Sequence, residues 1–305
     1  MINQCKLCKK NMELIDSHII PKFVFNHLKK TSLTGKLRMT QNPDLRVQDG
    51  IKLPFLCKDC ETLLNQWEKP FCEQIFKPLH DSESKIESLK YGDWALRFAV
   101  SVSWRVLEYW RCERSLEGLS DVQLQATEVA LESWRKFLLG RANQVNRFEQ
   151  HVLPIVGNEL PIDVIKSTSA EGISPFLNRY LIRGTQMDVI ASEHSAFVYS
   201  KLGRVLIFGF IKEPCRSKWK GTKIFGIEGT IKSRGNSIPQ YIGKYLNEKA
   251  EFSRAKYNSM SLKQDKMVSE IQKKNLNRIA ELEIFRAMQL DVELSGKDAF
   301  KKVPK

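Results

Sequence analysis

The stretch "CKLCKKNMELIDSHIIPKF" (residues 5–23) sets two cysteines in a CxxC pair and, ten residues after the second, a histidine inside an apolar run. A second pair, Cys57 and Cys60, stands in "LPFLCKDCETLLNQWEKPF" (residues 53–71). A CxxC presents both sulfurs to a metal from one tight turn, and two such turns facing each other close a tetrahedral zinc site. Cys5, Cys8, Cys57 and Cys60 are therefore the expected ligands of a structural zinc. The 48 residues between the pairs, 9–56, exceed what a compact ribbon needs, so they must hold a hairpin or loop of their own. A thioredoxin-like redox pair would need only one CxxC and a βαβ setting, which the sequence lacks. Cys72, Cys112 and Cys215 stand alone and read as buried thiols.

The residues after the second pair read as a helix beginning near Cys60. Leu63, Leu64 and Trp67 form its apolar stripe, while Glu61, Asn65 and Glu68 share another face. A CxxC, a hairpin, then a CxxC leading into a helix is the chain order of a treble-clef zinc finger. In that order "SHIIPKF" lies on the hairpin, opposite the helix.

This arrangement, with a histidine in an "HIIP" context between the two CxxC pairs, resembles the HNH (His-Me finger) endonucleases over residues 1–75, about a quarter of the chain. The resemblance implies that His18 is the general base that activates water against a phosphodiester. It also implies a divalent cation, Mg or Mn, held by an acidic residue beside that histidine and by a group at the start of the helix. By position, Asp16 and Glu61 take those places, and the four cysteines hold the structural zinc. The residue directly before His18 is Ser17, and "GIKLPFLC" offers no asparagine where the family carries one. Each residue also has a plainer reading. His18 would brace the hairpin by packing, and Glu61 would serve the helix dipole. His27, beyond Pro21, reads as a surface residue.

Composition fits a polyanionic partner. The chain has 305 residues, 42% of them apolar, enough for one large domain or two modest ones. Lys and Arg number 49 against 35 Asp and Glu, a net +14, with a pI near 9.4. From Lys201 to Gly235 nine basic residues stand against Glu213 and Glu228. That stretch reads either as a solvated sheet face or as a phosphate-binding surface, with Lys218, Lys220 and Lys223 as contacts. Trp219 among them could stack on a base, although a ring tucked against a sheet is the commoner use. The N-terminus lacks the apolar core of a secretory signal, and no run approaches the ~20 residues of a membrane span. The expectation is a cytoplasmic protein without membrane contact, whose cysteines do not form a disulfide scaffold.

Beyond the zinc module (1–76), residues 77–90 read as a polar linker and 91–305 as an α+β domain. "WALRFAVSVSWRVLEYWRCE" (94–113) predicts a buried helix. "SDVQLQATEVALESWRKFLLG" (120–140) predicts its antiparallel partner, with Ser120 as N-cap and Gly140 as stop, so that the pair spans 93–140. Residues 184–233 predict a small antiparallel sheet with a hairpin at "KLGR" (201–204). Residues 238–294 predict C-terminal helices, with a long helix in which Val268, Ile271, Ile279 and Leu282 follow a 3.5–3.6 period broken by Asn275. That helix could pair with a second copy or a protein partner, or fold back. "KKVPK" (301–305) reads as a frayed tail. No internal repeat and no phosphate-binding glycine loop occurs.

Two functions follow. One is a zinc-stabilised, HNH-like nuclease acting on nucleic acid, DNA in the first instance, in a role such as prokaryotic defence. The other is a non-catalytic zinc-finger factor that binds nucleic acid or protein and carries a degenerate HNH site.

Overall fold

The structure, a computed structural model, describes residues 2–81, 86–156, 172–192, 195–212, 215 and 217–301. Glu213 and Arg216 of the basic stretch, and all but Lys301 of the tail, lie outside the described residues. The chain is a mixed α/β protein with small antiparallel sheets and a four-cysteine cluster near its N-terminus.

The N-terminal part begins with β1 (Ile2–Gln4) and β2 (Asn11–His18), runs into helix α1 (Lys22–Lys30), and continues through β3 (Leu37–Arg38), β4 (Arg46–Val47) and β5 (Lys52–Cys57). Strands β1, β2 and β5 form one sheet, and β3 pairs with β4 in a separate ribbon. Pro54 is tolerated because β5 is an edge strand. The β2–β5 register shifts between Ile15 and Asp16. Simple alternation would carry Met12 and Leu14 on to Asp16 and His18 on the inner face. Phe55 is the extra residue at this irregularity, and along β2 Asp16 is exposed while both Ser17 and His18 are buried.

Helix α2 (Lys58–Phe71) follows the second CxxC and buries Cys60, Leu64, Trp67 and Phe71. Pro70 lacks an amide proton, and the helix passes into a π turn (Cys72–Phe76) and then α3 (Lys77–His80). The stretch 77–90 is thus not a bare linker. It holds α3, continuous with the knuckle helix, and β6 (Ser88–Tyr91), which is paired with a strand far along the chain. Helix α4 (Trp94–Glu113) is buried along nearly its whole circumference, as its apolar sequence predicts. Helix α5 (Asp121–Leu138) starts at Ser120 with a full capping box to Gln123 and stops at Gly140 in the left-handed region.

Next come β7 (Gln150–Pro154), α6 (Leu177–Ile182), β8 (Thr185–Ser192), β9 (Ser195–Leu202), β10 (Val205–Phe210) and β11 (Gly229–Lys232). The main sheet is antiparallel in the order β7-β10-β9-β8, while β11 leaves it to pair with β6. Leu202 pairs with Val205, so the expected hairpin turns on Gly203 and Arg204, with Gly203 at φ 58°. Alternate residues of β9 and β10 face opposite cores. Val198 and Ile207 pack with α4 and the cysteines, and Tyr199 and Phe208 pack with the C-terminal helices. Gly209 lets α4 approach closely, since a Cβ there would strike Ser103.

The C-terminal segment is not one long helix. It divides into α7 (Gln240–Asn258), α8 (Leu262–Lys274), α9 (Leu276–Ala280) and α10 (Glu283–Ser295). The breaks fall where Ser261 caps α8 and where Asn275 leaves helical geometry. Helices α7 and α10 fold back onto the sheet, whereas α8 buries no residue. Among the described residues no helix is long and apolar enough to cross a membrane.

The start of α10 is held by a polar cluster. Glu283 accepts from Arg204 Nε at 2.6 Å and from Arg183 Nη1 at 3.2 Å, and His27 Nε2 lies 3.7 Å from it. His27 is therefore half-buried against the C-terminal segment rather than a surface residue. Its ring centroid is 4.4 Å from that of His80. His80 Nδ1 donates to the Phe76 carbonyl (2.8 Å), and its Nε2 accepts from the Arg204 amide (3.2 Å). Burial holds the His80 imidazole down to about 3. In the unfolded chain it takes up a proton near ~6.5. The unfolded state thus protonates first, and this contribution weakens as pH falls from about 6.5 toward 3, by roughly 2 kcal/mol at about pH 5. Urea unfolding of H80N should show an acid-induced loss between neutral pH and that point smaller by about this amount.

Candidate metal centre

The first knuckle is a turn closed by Lys9 N–H to the Cys5 carbonyl and Cys5 N–H to the Lys10 carbonyl, each 2.9 Å, with Lys9 at φ 64°. The second straddles the start of α2. Lys6 N–H donates to the Phe55 carbonyl (3.0 Å) and Cys57 N–H to Cys5 Sγ (3.3 Å), so the two turns face each other. All four Sγ atoms lie within 4.8 Å of one another, and the Cys8–Cys57 separation is 3.9 Å. Tetrahedral zinc with Zn–S near ~2.3 Å requires sulfurs about 3.8 Å apart.

The chemistry of the donors points the same way. Cys5 is drawn down to about 4, chiefly by a hydrogen bond from Cys60, while Cys60 is pushed far up by that same bond and then by burial. Burial raises Cys8 as well. Four packed thiols cannot all ionise against one another, and a divalent cation at their centre removes that conflict. The cluster is compatible with structural zinc. Helices α4 and α5 brace it from outside, with Arg135 Nη1 donating to the Leu7 carbonyl (3.3 Å) and Lys9 lying 3.8 Å from Glu108. The three remaining cysteines are not the buried thiols expected, since Cys72 is half-buried and Cys112 and Cys215 are exposed.

His18 closes β2, and its ring stacks on Phe25 with centroids 6.3 Å apart. Only 9% exposed, it sets Nε2 3.1 Å from Asp49 Oδ2, in the loop before β5. Burial would raise the Asp49 carboxyl, but bonds to His18, the Gly50 amide and Lys52 hold it below its ordinary value. The His18 carbonyl accepts from Arg105 Nη1 (3.1 Å), and Arg105 Nη2 donates to Glu68 (2.7 Å). Ile19, Ile20 and Pro21 are buried in turn, so "HIIP" carries the chain from the strand into α1.

Asp16, His18 and Glu61 do not form one ligand group among the described residues. Asp16 is exposed on β2, and Glu61 lies in the first turn of α2 with Oε2 buried. The described residues form two groups of three or more potential ligands, the four cysteines and His27–His80–Glu283, and neither includes Asp16, His18 or Glu61. In the second group the nitrogens of His80 and the oxygens of Glu283 already have protein partners. Sequence reasoning missed Asp49 and Arg105 as the neighbours of His18, and Glu68, which the helix pattern sets on one face with Glu61, pairs with Arg105 instead. No local pattern marks the first two, because each arrives from a different element.

The basic stretch is divided between surface and interior. Lys201 is buried, its Nζ donating to the carbonyls of Arg183 (2.6 Å) and Gly184 (3.1 Å), and burial lowers it to about 7. Arg204 belongs to the Glu283 cluster. Lys223 pairs with Glu149 at 2.6 Å, whereas Lys218 and Lys220 are exposed on either side of Trp219. Trp219 packs edge-on against Phe208, Phe210 and His151 in the second core, which makes it a buried ring rather than a stacking platform.

Comparison with protein-family models, curated proteins and solved structures gave no match.

The zinc prediction is direct. Purified protein should hold about one tightly bound zinc per chain, by elemental analysis, and C57S/C60S should lose it together with much of its stability.

Proposed function

We propose that residues 1–76 are a treble-clef zinc module of HNH type and that the protein uses it as the rigid base of a nucleic-acid-binding factor, with a degenerate hydrolytic site. The observation that carries this reading is the state of His18. Its Nε2 faces Asp49, the residue is only 9% exposed, and Asp16, His18 and Glu61 do not form one ligand group among the described residues. A general base needs a water and a cation beside it, whereas here Nε2 is turned to a carboxylate and the ring stacks on Phe25. The net charge of +14 supports an anionic polymer as partner.

One observation favours the hydrolytic alternative. A carboxylate that orients an imidazole is also how a histidine base is held for catalysis. Asp49 would then be the orienting group, with Mg or Mn supplied from solution.

His18→Ala and Asp49→Asn separate the two. As a scaffold, the wild type leaves plasmid DNA and RNA intact with Mg²⁺ or Mn²⁺, and both variants melt at lower temperature. As a nuclease, the wild type nicks plasmid DNA, and His18→Ala loses ~10²- to 10⁴-fold in rate while keeping its zinc.

A further inference from the structure

Two arginines stand directly opposite each other on the β3–β4 ribbon, Arg38 and Arg46 being Cα partners. Like charges at that spacing repel. Burial, followed by the charge of Arg46, pulls the Arg38 guanidinium below its ordinary value. Their contacts do not neutralise them. Arg38 donates to the Pro43 carbonyl (2.6 Å) and to Gln264 Oε1 (3.0 Å), and Arg46 reaches Met267 Sδ at 2.7 Å. Asp44, in the turn of the ribbon, lends Arg38 some support, but its Oδ1 receives the Ser261 amide (2.9 Å) and hydroxyl (3.0 Å).

Those contacts fasten α8 beside the ribbon. The helix buries no residue, so it gains nothing from the core, and polar bonds tie its N-terminal half to β3 and β4. It carries exposed Lys263, Lys266, Lys273 and Lys274 against Asp265 and Glu270. Ribbon and helix come from distant parts of the chain and meet through these contacts, with Lys263 and Lys266 exposed on the helix turn next to the ribbon.

We infer that the β3–β4 ribbon and α8 together form the surface that grips the phosphate backbone of duplex DNA. The inference rests on the nucleic-acid reading above and names the face that does the binding. A two-stranded ribbon and a helix both match the width of the major groove, and phosphates would supply a second negative charge to an arginine pair that has Asp44 as its one carboxylate in the ribbon's turn. This face replaces the 218–223 lysines as the main contact, since Lys223 is already committed to Glu149.

The test is fluorescence anisotropy of full-length, zinc-loaded protein with a labelled duplex of about 20 base pairs over a salt series. K263E/K266E reverses two exposed charges on α8 without touching the core. It should weaken binding at least ~10-fold and lower the salt slope by about 2, with zinc content and melting temperature unchanged. Arg46→Gln should act in the same direction. K218E/K220E should bind nearly as the wild type does. Duplex binding unaffected by the α8 and ribbon variants, or abolished by K218E/K220E alone, overturns this face while leaving the nucleic-acid reading intact. Tighter binding of single-stranded RNA than of the duplex overturns the choice of DNA. No binding of any nucleic acid by the wild type overturns both.

Discussion

The guanidinium of Arg105 ties the main parts of this protein together. It sits at 0% exposure on a helix otherwise packed in apolar side chains, where an unpaired charge would cost several kcal/mol. Glu68, from the helix after the second knuckle, supplies the carboxylate, and His18, from the end of the hairpin, supplies a carbonyl. The hairpin, α2 and α4 must therefore meet at one place. Since α4 also lies on the main sheet, that meeting fixes the four-cysteine part against the rest of the chain.

The packing has the same consequence. One continuous core contains Cys5, Cys57 and Cys60 together with residues of α4, α5 and the near face of the sheet. The four-cysteine part has no separate interior, and metal bound to its cysteines would stabilise the whole assembly. On the opposite side, the His27–His80–Glu283 cluster joins α1 to the C-terminal helices. Fixed at both of these places, the N-terminal part has little freedom to move independently.

His18 shows why a motif leaves its role open. The paired cysteines with a histidine between them suggest a hydrolytic finger, yet chemistry depends on which groups reach the imidazole. Asp16 is exposed on β2, and a loop residue, Asp49, faces the ring. The same atoms that could orient a base also hold a strand end in place.

Much of the local structure was legible in the sequence. The paired cysteines, the helix from Lys58, the buried helix at Trp94, the Ser120 cap, the Gly140 stop and the hairpin at Gly203 each depend on neighbours a few residues away. Their signals are periodicity and turn chemistry, which the sequence carries by itself. Tertiary structure decided the rest. Whether Lys201 and Arg204 face water or the interior, which carboxylate meets His18, and how the C-terminal segment divides all depend on groups brought together from distant parts of the chain. A charged residue looks the same in sequence whether it is solvated or buried against a partner. Only the fold supplies the partner, and the low dielectric of the interior makes that pairing obligatory.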